Sequence, residues 1–203
     1  MHLNIETVNS MLLKFPQDLR MHSLNVCYLA QKMAQYAGYT HKEIKKITLG
    51  ALLHDIGKSC IDERILYKPT RLSEKEFSII KQHTVLGTKI ISSFEKCNNL
   101  LPIILYHHEH WDGNGYEGLS GRDIPEPARI VAIADAFDAM TSPRPYQKPK
   151  TLNDALSELN RNRGLQFDPD LVQAFELCIV ELIKTPLKTS DINFWHKAFS
   201  NIV

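Results

Sequence analysis

The sequence lacks the features that would place the chain in a membrane or in a disulfide-bonded class. It has no apolar run near the roughly 18 residues that a membrane-spanning helix needs. Residues 1–6 do not have the composition of a signal peptide. The four cysteines are far apart and form no Cys-x-x-Cys pair. We therefore predict a cytoplasmic protein without membrane insertion, whose cysteines are reduced thiols.

The chain also lacks an excess of charge of either sign. Lys and Arg together number 24, Asp and Glu 23, and the formal net charge is +1. This balance argues against DNA or RNA as a partner, but it leaves room for a small anionic ligand in a local basic pocket. Hydrophobic residues make up 43% of the 203 residues, which is ordinary for a globular protein.

Hydrophobic spacing predicts an all-α fold. Apolar residues recur at intervals of three and four, and no segment alternates for long enough to predict a strand. We predict a single helical bundle over residues 16–203, with a short N-terminal helical extension over residues 1–15. The extension either packs on the bundle or mediates a homodimer. The predicted helices cover residues 3–14, 17–37, 41–56, 73–94, 100–108, 128–140, 151–163, 168–184 and 191–199.

Histidine is the residue whose placement points to function. The pair His54-Asp55 ends an apolar run, and a buried charge is costly unless it is paired or bound to metal. A single histidine on an apolar helix face is more often a hydrogen-bonded core residue than a metal ligand. Here seven such side chains lie inside or at the ends of apolar helices, and one metal cluster would satisfy them all. They are His22, His54, Asp55, His83, His107, His108 and Asp135.

These residues lie in motifs that resemble a known family. Residues 54–58, His-Asp-Ile-Gly-Lys, resemble the signature of the HD phosphohydrolase superfamily. Residues 107–116, 134–141 and 144–146 are similar to motifs of its HD-GYP branch. The resemblance covers about residues 22–175, and the ordered set of motifs is far more specific than a His-Asp pair.

The resemblance implies an all-α phosphodiesterase that hydrolyses cyclic di-GMP to pGpG, and on to GMP in some members. The seven residues named above match the family's metal ligands, which hold two or three divalent ions, with iron or manganese favoured. Asp55 would bridge two ions. A metal-bridging hydroxide would attack the phosphorus in line with the leaving 3′-oxygen.

Further site residues come from the same resemblance. Lys58 matches a lysine near the reacting phosphate, where it would stabilise developing charge. Asp55 and Lys58 are therefore the predicted catalytic residues, and Lys58, Arg144 and Tyr116 the predicted substrate-binding residues. Asp138, one turn after Asp135, either orients a histidine or belongs to a local polar network.

The sequence departs from the family pattern in two places. Trinuclear members have a glutamate four residues before the first histidine, where this chain has Asp18. Asp18 is either a ligand of a third metal or a carboxylate favoured by the start of its helix. In the loop, Gly115-Tyr116 is followed by Glu117 instead of proline, and the loop is one residue shorter. We predict a differently shaped loop, which leaves open the family's contacts with signalling partner proteins.

Three functions therefore remain open. The first is a cyclic di-GMP phosphodiesterase. The second is the same chemistry on another cyclic dinucleotide, such as cyclic GMP-AMP, or on a smaller nucleotide. The third is a catalytically weak module that binds cyclic di-GMP for signalling.

Overall fold

The computed structural model describes residues 3–143 and 148–184, and the regular elements of these parts are helices joined by turns and loops, with an isolated β-bridge between Arg163 and Phe167. The predicted all-α class is confirmed. The α-helices of this part of the chain, α1 to α10, span Ile5–Leu13, Gln17–Tyr36, His41–Leu53, Glu63–Leu66, Glu74–Lys81, His83–Ser92, Leu101–Tyr106, Glu126–Thr141, Leu152–Arg161 and Pro169–Lys184. Two 3-10 helices span Ile56–Cys60 and Gly121–Asp123. The predicted helix 191–199 lies outside the described residues.

Local sequence explains where several helices begin and end. The predicted capping box of Ser73 and Glu76 is present at the start of α5, and Thr40 and Glu43 form another at α3. Gly38 follows the end of α2 with a φ of 78°, a conformation that glycine adopts without a Cβ penalty. These caps satisfy amides that the helix itself leaves unpaired.

The core lies around α2. This helix packs against α3 and α8, and α10 contacts both α2 and α8. Helix α7 lies against α3, α6 and α8, and α6 also contacts the 3-10 helix Ile56–Cys60. Burial of apolar side chains from all these helices supplies the main driving force for this arrangement. Fully buried members include Val26, Met33, Leu53, Ile103, Ile130 and Phe175.

The N-terminal helix joins the same core. Val8 and Leu12 of α1 are buried, as is Phe15 just after it, and all three belong to the main hydrophobic cluster. This packing agrees with the first interpretation of the extension. The domain boundary after residue 15 and the homodimer stay predictions.

Two predicted segments differ from the structure. The helix predicted over residues 73–94 is divided at Gln82 into α5 and α6, and the predicted loop 58–72 contains the short helix α4. None of the helices in the described residues is long and apolar enough to cross a bilayer.

Candidate metal centre

The structure brings all seven predicted ligands together. Their ligand atoms form two groups, and the atoms within each group lie within 4.8 Å of one another. One group consists of Asp55, His83, His107 and His108, and the other of His22, His54 and Asp135.

The ligands reach this point from five parts of the bundle. His22 lies on α2, His54-Asp55 follows α3, His83 begins α6, His107-His108 follows α7 and Asp135 lies on α8. Three of these segments are therefore helix ends, whereas His22 and Asp135 lie within their helices. The centre can form only if these helices are packed as described, so it depends on the whole fold.

Gly57 allows one of these close approaches. A Cβ atom built on Gly57 would lie 1.9 Å from the carbonyl oxygen of His83 and 2.5 Å from the backbone nitrogen of Gly87. Both contacts are with backbone, which cannot move aside as a flexible side chain can. The glycine after the His-Asp pair thus permits the start of α6 to lie directly against the 3-10 helix.

The Asp55 carboxylate belongs to the first group and also faces the second. Its Oδ1 is 3.2 Å from Nε2 of His83 and 3.9 Å from Nε2 of His107. Its Oδ2 is 3.3 Å from Nε2 of His54 and 3.7 Å from Nε2 of His22. Each oxygen therefore faces one group, and Asp55 is 2% exposed.

Three imidazole rings are oriented by backbone carbonyls. The Nδ1 atoms of His54, His83 and His107 lie 2.7, 2.8 and 2.9 Å from the carbonyl oxygen three residues earlier. A carbonyl oxygen only accepts, so each Nδ1 carries the proton, and in the neutral ring each Nε2 presents a lone pair. All three lone pairs are thus directed towards Asp55.

This donor set fits divalent metal ions. The Nε2 atoms of His83 and His107 are 3.3 Å apart, and two lone pairs at that distance repel each other unless a cation lies near. Nε2 of His54 and Oδ1 of Asp55 are buried without a hydrogen-bond partner, which is costly for a polar atom. Burial holds the pKa of His107 well below its usual value, so the ring is neutral near pH 7 and free to ligate. Burial likewise lowers the pKa of His108 to about 3.

His22 is oriented by a carboxylate instead of a carbonyl. Its Nδ1 donates to Oδ2 of Asp138 at 2.6 Å, and its Nε2 lies 3.0 Å from Oδ1 of Asp135. Asp138 also accepts from Asn25 at 2.8 Å and from the Ser142 hydroxyl at 2.6 Å. Burial alone would lower the pKa of His22, but the hydrogen bonds to Asp135 and Asp138 raise it to about 9.

Lys58 lies at the edge of the centre. Its Nζ is 2.6 Å from Oδ2 of Asp55, and its side chain is 18% exposed. Burial would raise the pKa of Asp55, but Lys58 and His54 hold it well below its usual range. A positive charge beside the centre and partly open to solvent is suited to an anionic substrate.

Tyr116 covers one side of the centre, in a loop held by Glu109. The Tyr116 ring lies 4.7 Å from the His108 ring, at an interplanar angle of 35°. The carboxylate of Glu109 accepts the amides of Glu117, at 2.7 Å, and of Leu119. A Cβ atom on Gly115 would lie 2.4 Å from Cα of Glu109, so the loop folds directly over this residue.

Sequence reasoning assigned no separate role to Glu109. The residue is 3% exposed and follows the two histidines directly in the chain. An acidic residue buried next to a glycine-containing loop is a signal for a carboxylate that holds loop amides. Chain order shows only that an acidic residue precedes a glycine-containing loop, so the function of Glu109 as an anchor of the Tyr116 loop became evident only from the structure.

Two other predicted residues have a different outcome. Asp18 is exposed in the first turn of α2 and belongs to neither ligand group. Arg144 lies outside the described residues. The third metal and the substrate contact of Arg144 therefore stay predictions, as does the effect of the shortened loop.

Comparison with known proteins identifies the family of the chain. Residues 6–171 match the family model of the HD domain, so the chain belongs to the HD domain family, as the His-Asp motif predicted. The chain is 43% identical over 161 residues to a cyclic di-GMP phosphodiesterase of Thermotoga maritima, an alignment that covers 78% of this chain and 44% of that protein. It is 36% identical over 155 residues to 3'3'-cGAMP-specific phosphodiesterase 2 of Vibrio cholerae, covering 75% and 30%.

A solved structure shows the same fold. The cyclic GMP-AMP-specific phosphodiesterase of V. cholerae superposes with a TM-score of 0.68 at 20% identity, over 99% of this chain and 54% of that chain. The present chain spans less than half the length of the two curated relatives described above.

Proposed function

We propose that the protein is a metal-dependent phosphodiesterase that hydrolyses cyclic di-GMP to pGpG, with the further step to GMP left open. The observation that supports this most directly is the Asp55 carboxylate, with one oxygen facing each of two groups of nitrogen and oxygen donors. That is the donor arrangement of a two-metal site, in which a carboxylate bridges both ions. The relative from T. maritima supports the choice of cyclic di-GMP as substrate.

The metal ions, when bound, would lower the pKa of a water molecule and polarise a phosphate oxygen. Side chains of the protein hold the ligand groups in place and stabilise charge on the phosphate. Asp55 holds the two halves of the centre together, and Asp138 fixes the His22 ring so that Nε2 faces the centre. Lys58 presents its ammonium group beside Asp55, where it can stabilise negative charge on the phosphate as the 3′-oxygen leaves.

We further infer two ions of iron or manganese and a cytoplasmic location. Two ions match the two ligand groups, and mixed imidazole and carboxylate ligation suits first-row transition metals. The four cysteines are free thiols, which agrees with a reducing compartment. Signalling partner proteins, and Arg144 as a substrate contact, remain part of this proposal.

Metal analysis paired with a product assay tests the proposal. Protein purified without oxygen should contain about two iron or manganese ions per chain, and it should convert cyclic di-GMP to pGpG. Asp55→Ala should lose both metal and activity, whereas Asp123→Ala, at an exposed residue of the 3-10 helix Gly121–Asp123 that belongs to neither ligand group, should lose neither. Full activity of the Asp55→Ala variant would show that the proposed metal chemistry is wrong.

A second candidate function changes only the substrate. Glu117 replaces the family's proline beside Tyr116, and one relative is named as specific for 3'3'-cGAMP. Turnover rates on cyclic di-GMP and 3'3'-cGAMP, compared at equal metal content, distinguish the two. Tight binding of cyclic di-GMP by metal-loaded protein without turnover would instead support the signalling module.

A further inference from the structure

A partly exposed aromatic and cationic cluster lies beside the centre. Phe77 and Lys81, four residues apart, occupy one face of α5. The ring of Phe77 lies 6.4 Å from the Tyr116 ring, at 88°. Nζ of Lys81 lies 5.2 Å from the centroid of Phe77 and 4.8 Å from that of Tyr116. We call Phe77, Lys81 and Tyr116 the α5 cluster.

The α5 cluster is directly connected to the ligand groups. Tyr116 is 4.7 Å from His108 and 6.4 Å from His83, both of them predicted metal ligands. A ligand with one phosphate at the metal centre would therefore extend over this cluster. The cluster is also the part of this face that Glu109 stabilises, because Glu109 holds the Tyr116 loop.

Two properties of the cluster suit a planar polar ligand. Phe77 is 44% exposed, which leaves much of an aromatic ring open to solvent next to the centre. Lys81 has no ion pair with a carboxylate within residues 3–143 and 148–184, and its ammonium group lies over the two rings. An aromatic face stacks on a nucleobase, and a lysine donates to the O6 and N7 acceptors of guanine.

We propose that the α5 cluster is a subsite for one guanine base of the substrate. The base stacks on Phe77, and Lys81 donates a hydrogen bond to its acceptor edge. This inference rests on the proposed function, because a cyclic dinucleotide supplies the base once its phosphate is at the centre. A purely structural role for Lys81, as a link between α5 and the Tyr116 loop, is the alternative that the experiment must separate.

The test uses two variants and a matched control. Lys81→Met removes the charge but keeps the apolar stem, and Phe77→Leu removes the aromatic face. Lys75→Met, at an exposed lysine of the same helix, is the control. We expect Lys81→Met to raise KM for cyclic di-GMP at least about 5-fold, the factor that a contact of roughly 1 kcal/mol gives, with kcat little changed. Phe77→Leu should raise KM for cyclic di-GMP and cyclic di-AMP alike.

Adenine separates recognition of the base from other roles of Lys81. Adenine has no O6 acceptor, so Lys81→Met should affect cyclic di-AMP less than cyclic di-GMP. Turnover of bis(p-nitrophenyl) phosphate, which has no purine, should be unchanged in both variants. An equal loss on both dinucleotides would overturn the assignment of Lys81 to guanine, and an unchanged KM with only a lower Tm would show a structural role.

Calorimetric binding of cyclic di-GMP to the metal-loaded protein distinguishes this inference from the proposed function. If the wild-type protein binds cyclic di-GMP without turnover and Lys81→Met weakens that binding, the proposed function fails and the subsite stands. If turnover is normal and neither variant changes affinity or KM, the subsite is wrong and the proposed function stands. Binding that Lys81→Met leaves unaltered in an inactive protein would contradict both.

Discussion

The centre contains two kinds of oriented histidine. Three rings donate Nδ1–H to a backbone carbonyl, whereas His22 donates to the carboxylate of Asp138. A carboxylate partner makes the imidazole a stronger base and a better metal ligand than a carbonyl partner does. His22 should therefore bind its ion more strongly than a carbonyl-held ring in the same position would.

Replacing Asp138 by Asn tests this difference. The amide keeps the size and an acceptor oxygen but removes the charge, so we expect metal affinity to fall about 10–100-fold. Titration of metal-free protein with Mn²⁺ against a chelating dye measures the affinity without reference to turnover. Asp123→Asn is the control, because Asp123 is exposed and outside both ligand groups. An Asp138→Asn protein with wild-type affinity would show that the carboxylate does not tune His22.

The seven ligand candidates could be predicted from the sequence because each is polar and lies in or at the end of an apolar helix. The motif resemblance then gave them their shared role. Glu109 is different, since its partners are the amides of Glu117 and Leu119, and only the folded loop brings those amides back to it. The exposure of Asp18 could be determined only from the structure. Sequence spacing places Asp18 four residues before His22 but does not report burial.

At the scale of helices, the ligand histidines coincide with helix ends. The sequence predicted helices that continue through His54, His83 and His107, but α3 and α7 end just before the first and last of them, and α5 gives way to α6 at the second. In each case Nδ1 of the histidine ring donates a hydrogen bond to the carbonyl oxygen three residues earlier. The ring therefore competes with the backbone amides of a continuing helix for that carbonyl oxygen. Hydrophobic periodicity gives no sign of this competition, so the predicted helices extended a few residues past the observed ends.

Gly57→Ala should disrupt the contact between the 3-10 helix and α6. The added Cβ meets backbone at 1.9 Å, so α6 must shift, at a cost of about 1–3 kcal/mol or more. Because the shifted residue is His83, metal affinity should fall as well. Thermal unfolding of the metal-free variant and Mn²⁺ titration measure the two effects.

Gly38→Ala provides the comparison at this scale. Gly38 has a φ of 78° but nothing within 4 Å of an added Cβ. We expect a loss of about 1–2 kcal/mol from backbone strain alone, with metal affinity unchanged. Equal metal affinity in the Gly57→Ala and Gly38→Ala proteins would mean that the close approach at Gly57 does not position His83.

For the molecule as a whole, the centre joins helices that are otherwise linked by apolar packing. Its ligands come from α2, from α8 and from the ends of α3, α6 and α7. Without a cation, the buried lone pairs of His54, His83 and His107 face one another and Asp55, which opposes that packing. Metal binding and folding should therefore be coupled, since the converged ligand set does not exist in the unfolded chain.

Thermal unfolding with and without metal measures this coupling. A ligand that binds only the folded state at about 100 times its Kd adds about 2.7 kcal/mol of stability. For a domain of this size each kcal/mol raises Tm by about 2–4 °C, so Mn²⁺ or Fe²⁺ should raise Tm by about 5–11 °C over protein treated with EDTA. Asp55→Ala should show little of this shift, because it removes the carboxylate whose two oxygens face the two ligand groups. A Tm that is the same with metal and with EDTA would mean that the buried histidines are satisfied without a cation, and the metal centre would then be wrong.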